Sequence, residues 1–134
     1  MRVFQILFLT VAVVTLAATS APAHHSFAAE FDRARPTKMT GTVTKVLWQN
    51  PHTFFYIDVK DEKTGKVANW GIEMGSPNIL MRNGWRRDSM KIGEVVTVEG
   101  HLAKDNSNTA NASTVVLAAS GKRLFAGSSL GTTP

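Results

Sequence analysis

From residue 39 onward apolar and polar side chains alternate with a period of two, and glycine, proline and asparagine break the alternation at short intervals. Residues 40–48 are rich in β-branched side chains and run into Asn50-Pro51, a turn signal, so they read as a first strand. In residues 54–59 the alternation puts Phe55, Ile57 and Val59 on one face and Phe54, Tyr56 and Asp58 on the other. Residues 61–66, with Gly65, form a hairpin loop. A third strand over 67–74 then gives inward parity to Ala68, Trp70, Ile72 and Met74.

The period changes after that. Ser76 is placed to cap a helix whose first position is Pro77, with Ile79, Leu80 and Met81 following and Gly84 as its stop, about two turns in all. Alternation returns in residues 95–102, where Val96, Val98 and Leu102 face inward and Thr97, Glu99 and His101 outward. Residues 103–112 read as a polar, asparagine-rich loop, 113–118 as a fifth strand, 123–125 as a short sixth, and 126–134 as a flexible tail. Three strands, a helix and two or three further strands are the order of an all-β fold with one short helix, a small five- to six-stranded OB-fold-like Greek-key barrel.

That frame locates a ligand face. OB-folds bind on strands two and three and on the loops joining strands one to two and four to five, which here are residues 49–53 and 103–112. His52 lies in the first loop and His101 just before the second, so the two histidines are expected at one rim. Trp48, Phe54 and Tyr56 would add an exposed aromatic surface beside Asn50. Trp70 and Trp85 are expected in the core, the latter under the helix. The candidate ligand-binding set is therefore Trp48, Asn50, His52, Phe54, Tyr56 and His101.

The amino-terminal pattern is different. Arg2 is followed by a mostly apolar run from residue 3 to 18, and Ala21-Pro22-Ala23 supplies the small residues of a cleavage site. The run is shorter than the roughly 20 residues that span a bilayer, so residues 1–23 read as a signal peptide cleaved after Ala23. Residues 24–38 would form an amino-terminal arm pinned by Phe27 and Phe31, and residues 39–125 the barrel. Of 15 Lys and Arg, loss of Arg2 leaves 14 against 10 Asp and Glu, a mild and scattered positive charge that is no nucleic-acid footprint. The chain has no cysteine, which excludes disulfides, thiolate metal sites and a lipid-modified amino terminus. Together these features indicate a periplasmic or secreted bacterial protein without a stable membrane anchor.

Cleavage after Ala23 would make His24 the first residue, able to offer its amine and imidazole to one metal ion. His24, His25, His52 and His101 are thus the candidate ligands, with copper as the candidate metal. In this the chain resembles histidine-brace copper proteins such as lytic polysaccharide monooxygenases and periplasmic copper carriers. Competing readings leave His24-His25 in a mobile arm, His52 capping the turn at Asn50-Pro51, and His101 solvated beside Glu99. Neither a nucleophile motif nor a glycine-rich phosphate loop is present, so an enzyme is not expected.

The segments Ala23-His24-His25-Ser26-Phe27, Trp48-Gln49-Asn50-Pro51-His52 and Asn69-Trp70-Gly71-Ile72-Glu73-Met74-Gly75-Ser76-Pro77 resemble an uncharacterised family of small exported bacterial proteins. The resemblance implies a periplasmic β-barrel and carries no activity. The expected function is a non-enzymatic periplasmic binding module for a small molecule, glycan or protein partner. Copper binding through the amino-terminal histidine, and an accessory role in an exported complex, are the alternatives.

Overall fold

The computed structural model describes residues 27–127. Residues 1–23, read above as a signal peptide, His24-His25 and the tail from residue 128 lie outside the described residues. The elements are α1 (Phe27–Glu30), β1 (Phe31–Leu47), β2 (Phe54–Lys60), β3 (Val67–Glu73), α2 (Pro77–Arg82), β4 (Val95–Ala103), β5 (Thr109–Leu117) and β6 (Lys122–Phe125).

The six strands form one sheet in the order β3-β2-β1-β4-β5-β6, and a parallel pairing of β3 with β5 closes it into a barrel. This is the small β-barrel, with OB-fold-like connectivity, that the alternation predicts. β1 makes the closure feasible. Its first part pairs with β4, from Phe31 opposite Ala103 to Thr42 opposite Val95, and its last part pairs with β2, from Thr42 opposite Asp58 to Leu47 opposite Phe54. One long strand thereby serves both halves, with register shifts at residues 31–36 and 43–45 that let it bend. At the second of these the carbonyl of Val43 accepts from Gly93 N and the amide of Val43 donates to Glu94 O, both at 2.8 Å, so the turn before β4 takes up the bonds that the kink frees.

The core follows the expected parity. Val43, Phe55, Ile57, Ile72, Met74, Val96, Val98, Ala110, Ala112 and Val115 are buried inside the barrel, and Leu80 and Trp85 join the same cluster. The indole N–H of Trp85 donates to Phe125 O at 2.7 Å, which satisfies the one polar atom of that side chain. Trp70 has inward parity opposite Ile57, yet it is only partly buried. α2 begins as the sequence indicates, with Ser76 Oγ accepting from Ile79 N at 3.4 Å and Pro77 in its first turn. Asn83 caps its end, and Gly84 follows at φ +89°, a conformation that glycine adopts without cost.

Three boundaries differ from expectation. A second helix, α1, exists in place of an extended arm, because Phe27 and Phe31 stack four residues apart with ring centroids 5.6 Å apart. Residues 31–38 belong to β1 and are not a separate arm: Phe31 and residues 36–38 pair with β4, and the buried Phe31 anchors them. The loop between β4 and β5 spans only 104–108, because residues 109–112 pair with both β3 and β4. Asn111 and its neighbours have low intrinsic β-propensity, and the pairing on both sides overrides it.

Candidate functional site

The site grows out of the loop after β1. The Asn50–Pro51 peptide bond is cis. Next to it, Thr53 N donates to Gly75 O at 3.1 Å and accepts Met74 N on its carbonyl at 2.8 Å. This clamp holds the loop against the end of β3 and sets His52 beside Glu73. His52 Nδ1 donates to Glu73 Oε1 at 2.6 Å. In the uncharged form of an imidazole, a proton on Nδ1 leaves the lone pair on Nε2.

Glu73 lies at a parity that faces away from the core, as Ile72 beside it is fully buried inside, yet Glu73 is only 6 % exposed. Its carboxyl pKa is raised from the ordinary value. Burial is the main cause; Glu30 nearby raises it further, while the charge and hydrogen bond of His52 and the adjoining amide of Asn111 oppose the shift. Asn111 pairs in register with Glu73 on one side and with His101 on the other. The four side chains thus form a row across the end of the barrel, from His52 through Glu73 and Asn111 to His101.

Polar satisfaction fails only here among the described residues. Thr53 Oγ1, His101 Nδ1 and Asn111 Nδ2 are the buried side-chain atoms without a hydrogen-bond partner. Buried polar groups in folded proteins are otherwise nearly all paired. His101 Nδ1 and Asn111 Nδ2 both belong to the row that runs from the buried Glu73 carboxyl. Thr53 belongs to the inward parity of β2; Asn111 and His101 belong to the outer row.

α1 and the β4–β5 loop cover this row. The Phe27 ring meets the His101 imidazole edge-on with centroids 5.5 Å apart, and the Arg33 guanidinium sits over the Phe27 ring, 5.5 Å from its centroid. Lys104 ties the two covers together, its backbone N donating to Glu30 O at 2.9 Å and its Nζ bonding Ala28 O. Between them lies a pocket of about 380 Å³ walled by Phe31 and Phe54, with Glu73, Glu30, Asp105 and Lys104 around it. Its size falls in the range of small-molecule sites.

The family assignment follows from the extent of one match. DUF6152, a family of unknown function, matches residues 12–112. The chain belongs to that family. Among curated proteins none matches it. Phe27, His52, Glu73, His101 and Asn111 all fall inside the segment that DUF6152 covers, so the row and its cover are built from residues within the family's span.

The residues expected at the ligand face distribute as follows. His52 and His101 stand at the same end of the barrel, as expected, but with β3 and β5 between them, so Glu73 and Asn111 separate the two imidazoles. Phe54 lines the pocket. Tyr56 is outward and half-buried, its ring over Gly71 and 5.5 Å from Lys45 Nζ. Trp48 packs against the core instead of standing free, and Asn50 is exposed in the turn. Glu99 does not pair with His101; it binds Lys38 at 3.2 Å, Thr114 at 3.1 Å and Arg123. His24 and His25 lie outside the described residues, and among those described no three His, Asp or Glu side chains gather as a metal cage.

Sequence reasoning missed Glu73 and Asn111. Both sit at outward parity, which normally means solvent, and only the cover supplied by α1 and residues 104–108 buries them. A carboxylate at the end of a strand whose neighbours are Ile72 and Met74 was the available signal for Glu73.

Proposed function

We propose that this DUF6152 protein is an exported, non-enzymatic binding module that takes a small ligand in the pocket beneath α1, against the row of His52, Glu73, Asn111 and His101. The observation that carries the reading is the buried Glu73 carboxylate beside a pocket, held by His52 and flanked by buried polar atoms that lack partners. A folded protein tolerates such orphans where a ligand or ordered water completes them. The site also lies at the β3 end of the barrel, where OB-folds place ligands, which supports the reading at the level of fold.

The test is a fragment screen on the ¹⁵N-labelled protein that begins at His24. Fragments should shift the amides of Phe54, Glu73 and Thr109 in a saturable way. Shifts confined to other surfaces, or none at all, would overturn the assignment. Export is checked separately: amino-terminal sequencing of protein recovered from a periplasmic fraction should start at His24.

A second reading, copper binding by His24 with His25, His52 or His101, draws on two observations. Phe27, which follows His25 by two positions in the sequence, packs edge-on against His101. His52 moreover gives its Nδ1–H to a carboxylate, the arrangement that orients imidazoles toward metals through Nε2. Calorimetric titration of Cu(II) into the processed protein, and into a version with one extra amino-terminal residue, decides this. Equal affinities would exclude the chelate.

A further inference from the structure

The positive charge that looks scattered along the sequence gathers where the end of α2 meets β6. Residues 81–91 and 118–125 carry six lysines and arginines against a single acid, Asp88. The fold brings the two stretches together, with the indole of Trp85 donating to Phe125 O at 2.7 Å. Beside that junction lies an open pocket of about 480 Å³ lined by Met81, Gly84, Trp85, Arg86 and Lys122. It shares no lining residue with the pocket beneath α1.

Main-chain bonds hold these walls and leave both cations unspent. Gly84, at φ +89°, turns the chain out of α2, and Trp85 N donates to Leu80 O at 3.0 Å. Arg86 N donates to Ser89 Oγ at 2.8 Å and Ser89 N donates to Arg86 O at 3.0 Å, so the Arg86 side chain springs from a closed turn. Lys122 stands opposite Leu117 at the start of β6, its backbone N donating to Ser120 Oγ at 3.3 Å. The nearby Glu99 carboxylate is occupied by Lys38 and Arg123. The guanidinium of Arg86 and the ammonium of Lys122 have no partner among the described residues.

Between the cations the lining is apolar. Met81 is 52 % exposed, a long thioether side chain left in water, and Trp85 is a buried, fixed floor. Two like charges facing one hollow repel each other, and an anion between them turns that repulsion into attraction. A guanidinium offers an oxyanion two parallel N–H donors and an ammonium offers a point charge. The thioether beside them makes favourable contacts with aromatic rings.

We propose that this pocket is a second ligand site, for a small organic oxyanion with an aromatic part: the anionic group lies between Arg86 and Lys122, and the ring lies on Met81 and Trp85. Organic cations are repelled by the same pair, and a simple inorganic anion leaves Met81 in water. The site is separate from the pocket beneath α1 and does not rest on the reading of it.

Three probes test it by shift titration of the ¹⁵N-labelled protein that begins at His24: 3-phenylpropionate, which carries ring and carboxylate; 3-phenylpropan-1-ol, which lacks the charge; and acetate, which lacks the ring. Phenylpropionate should shift the amides of Gly84, Arg86 and Lys122 and the Trp85 indole N–H in a saturable way. It should bind about fivefold or more tightly than either counterpart at low salt, the scale of two exposed ion pairs, and salt should erode its advantage over the alcohol. Arg86→Gln and Lys122→Gln change exposed side chains that hold nothing in the fold, so urea midpoints should stay at the wild-type value. Each should weaken phenylpropionate about two- to fivefold, and the double variant should bring it to the level of the alcohol. Met81→Ala should weaken both ring-bearing probes and leave acetate unchanged. Equal binding of phenylpropionate and the alcohol, acetate binding as tight as that of phenylpropionate, no saturable shift at these amides, or an undiminished affinity in the double variant would each overturn the proposal. Shifts confined to Phe54, Glu73 and Thr109 would overturn it too, and would count for the pocket beneath α1.

Discussion

Replacing His52 with alanine removes the hydrogen bond to Glu73 Oε1 at 2.6 Å and leaves a carboxylate that is 6 % exposed with its main favourable partner gone. Breaking a fully buried ion pair costs roughly 3–5 kcal/mol, whereas exposed pairs are worth about 0–1. The His52 side chain is 25 % exposed, so water can enter where the ring stood and offset part of the loss. We expect a cost of about 1.5–3 kcal/mol, read from urea unfolding at pH 7 with an unchanged m-value. The effect must also depend on pH. Burial holds the folded-state pKa of Glu73 above its ordinary value, so the stability linked to this group is fully present in acid and is lost as pH rises through the folded pKa. Removing His52, which opposes the shift, raises that pKa further. The deficit of His52→Ala against wild type should therefore be small in acid and grow as pH rises. Glu73→Gln in the same background should recover much of the loss, since it removes the buried charge. A deficit under about 0.5 kcal/mol at pH 7, or one that neither shrinks in acid nor responds to Glu73→Gln, would refute the account.

Three other outcomes are expected. Gly100→Ala puts a Cβ 1.8 Å from Asn111 O and 2.8 Å from Asn111 C, both backbone atoms of β5, so the strand must move; the cost should exceed the usual 1–3 kcal/mol of overpacking, and urea midpoints will show it. Trp85→Phe keeps the ring but strands Phe125 O, which lost a 2.7 Å bond, so about 1–3 kcal/mol should be lost by the same assay. The Glu99 carboxyl is held down at about 2, chiefly by Arg123 and then by Lys38 and Thr114. A depressed carboxyl stabilises the fold above its ordinary value of 4.5 and loses that contribution as pH falls toward 2. Thermal melts of Glu99→Gln should thus fall below wild type at neutral pH and converge with it in acid; a constant gap would reject the assignment.

Most of the frame was legible because its signals are local. The period-two alternation in residues 54–59 and 95–102 fixes which side chains enter the barrel, and Ser76-Pro77 with Gly84 brackets α2 by capping chemistry alone. What could not be read is burial imposed from a distance. Glu73 and Asn111 have solvent parity and become buried because α1 and Lys104, which are 43 and 31 residues from Glu73 at their near points, are brought over them. Trp70 shows the converse. Its parity is inward, but it stands in the middle of β3, before the strand becomes fully buried at Ile72 and Glu73. The loop position of His52 and the strand-end position of His101 put both at one rim, and the identity of what lies between them required the register of β3 with β5.

The parallel seam between β3 and β5 has a kinetic meaning. The β2–β3 hairpin closes locally through the loop at residues 61–66, with Gly65 N donating to Asp61 O at 2.8 Å, and it needs little loop entropy. The seam joins Gly71 to Thr109 and Glu73 to Asn111, contacts distant in sequence that form late when topology governs the rate. Glu73 and Asn111 stand on opposite sides of that seam. A chain with every hairpin in place but the seam open would hold half of the row on each side, so a ligand that bridged Glu73 and Asn111 would act as a bolt across the pairing that closes the barrel.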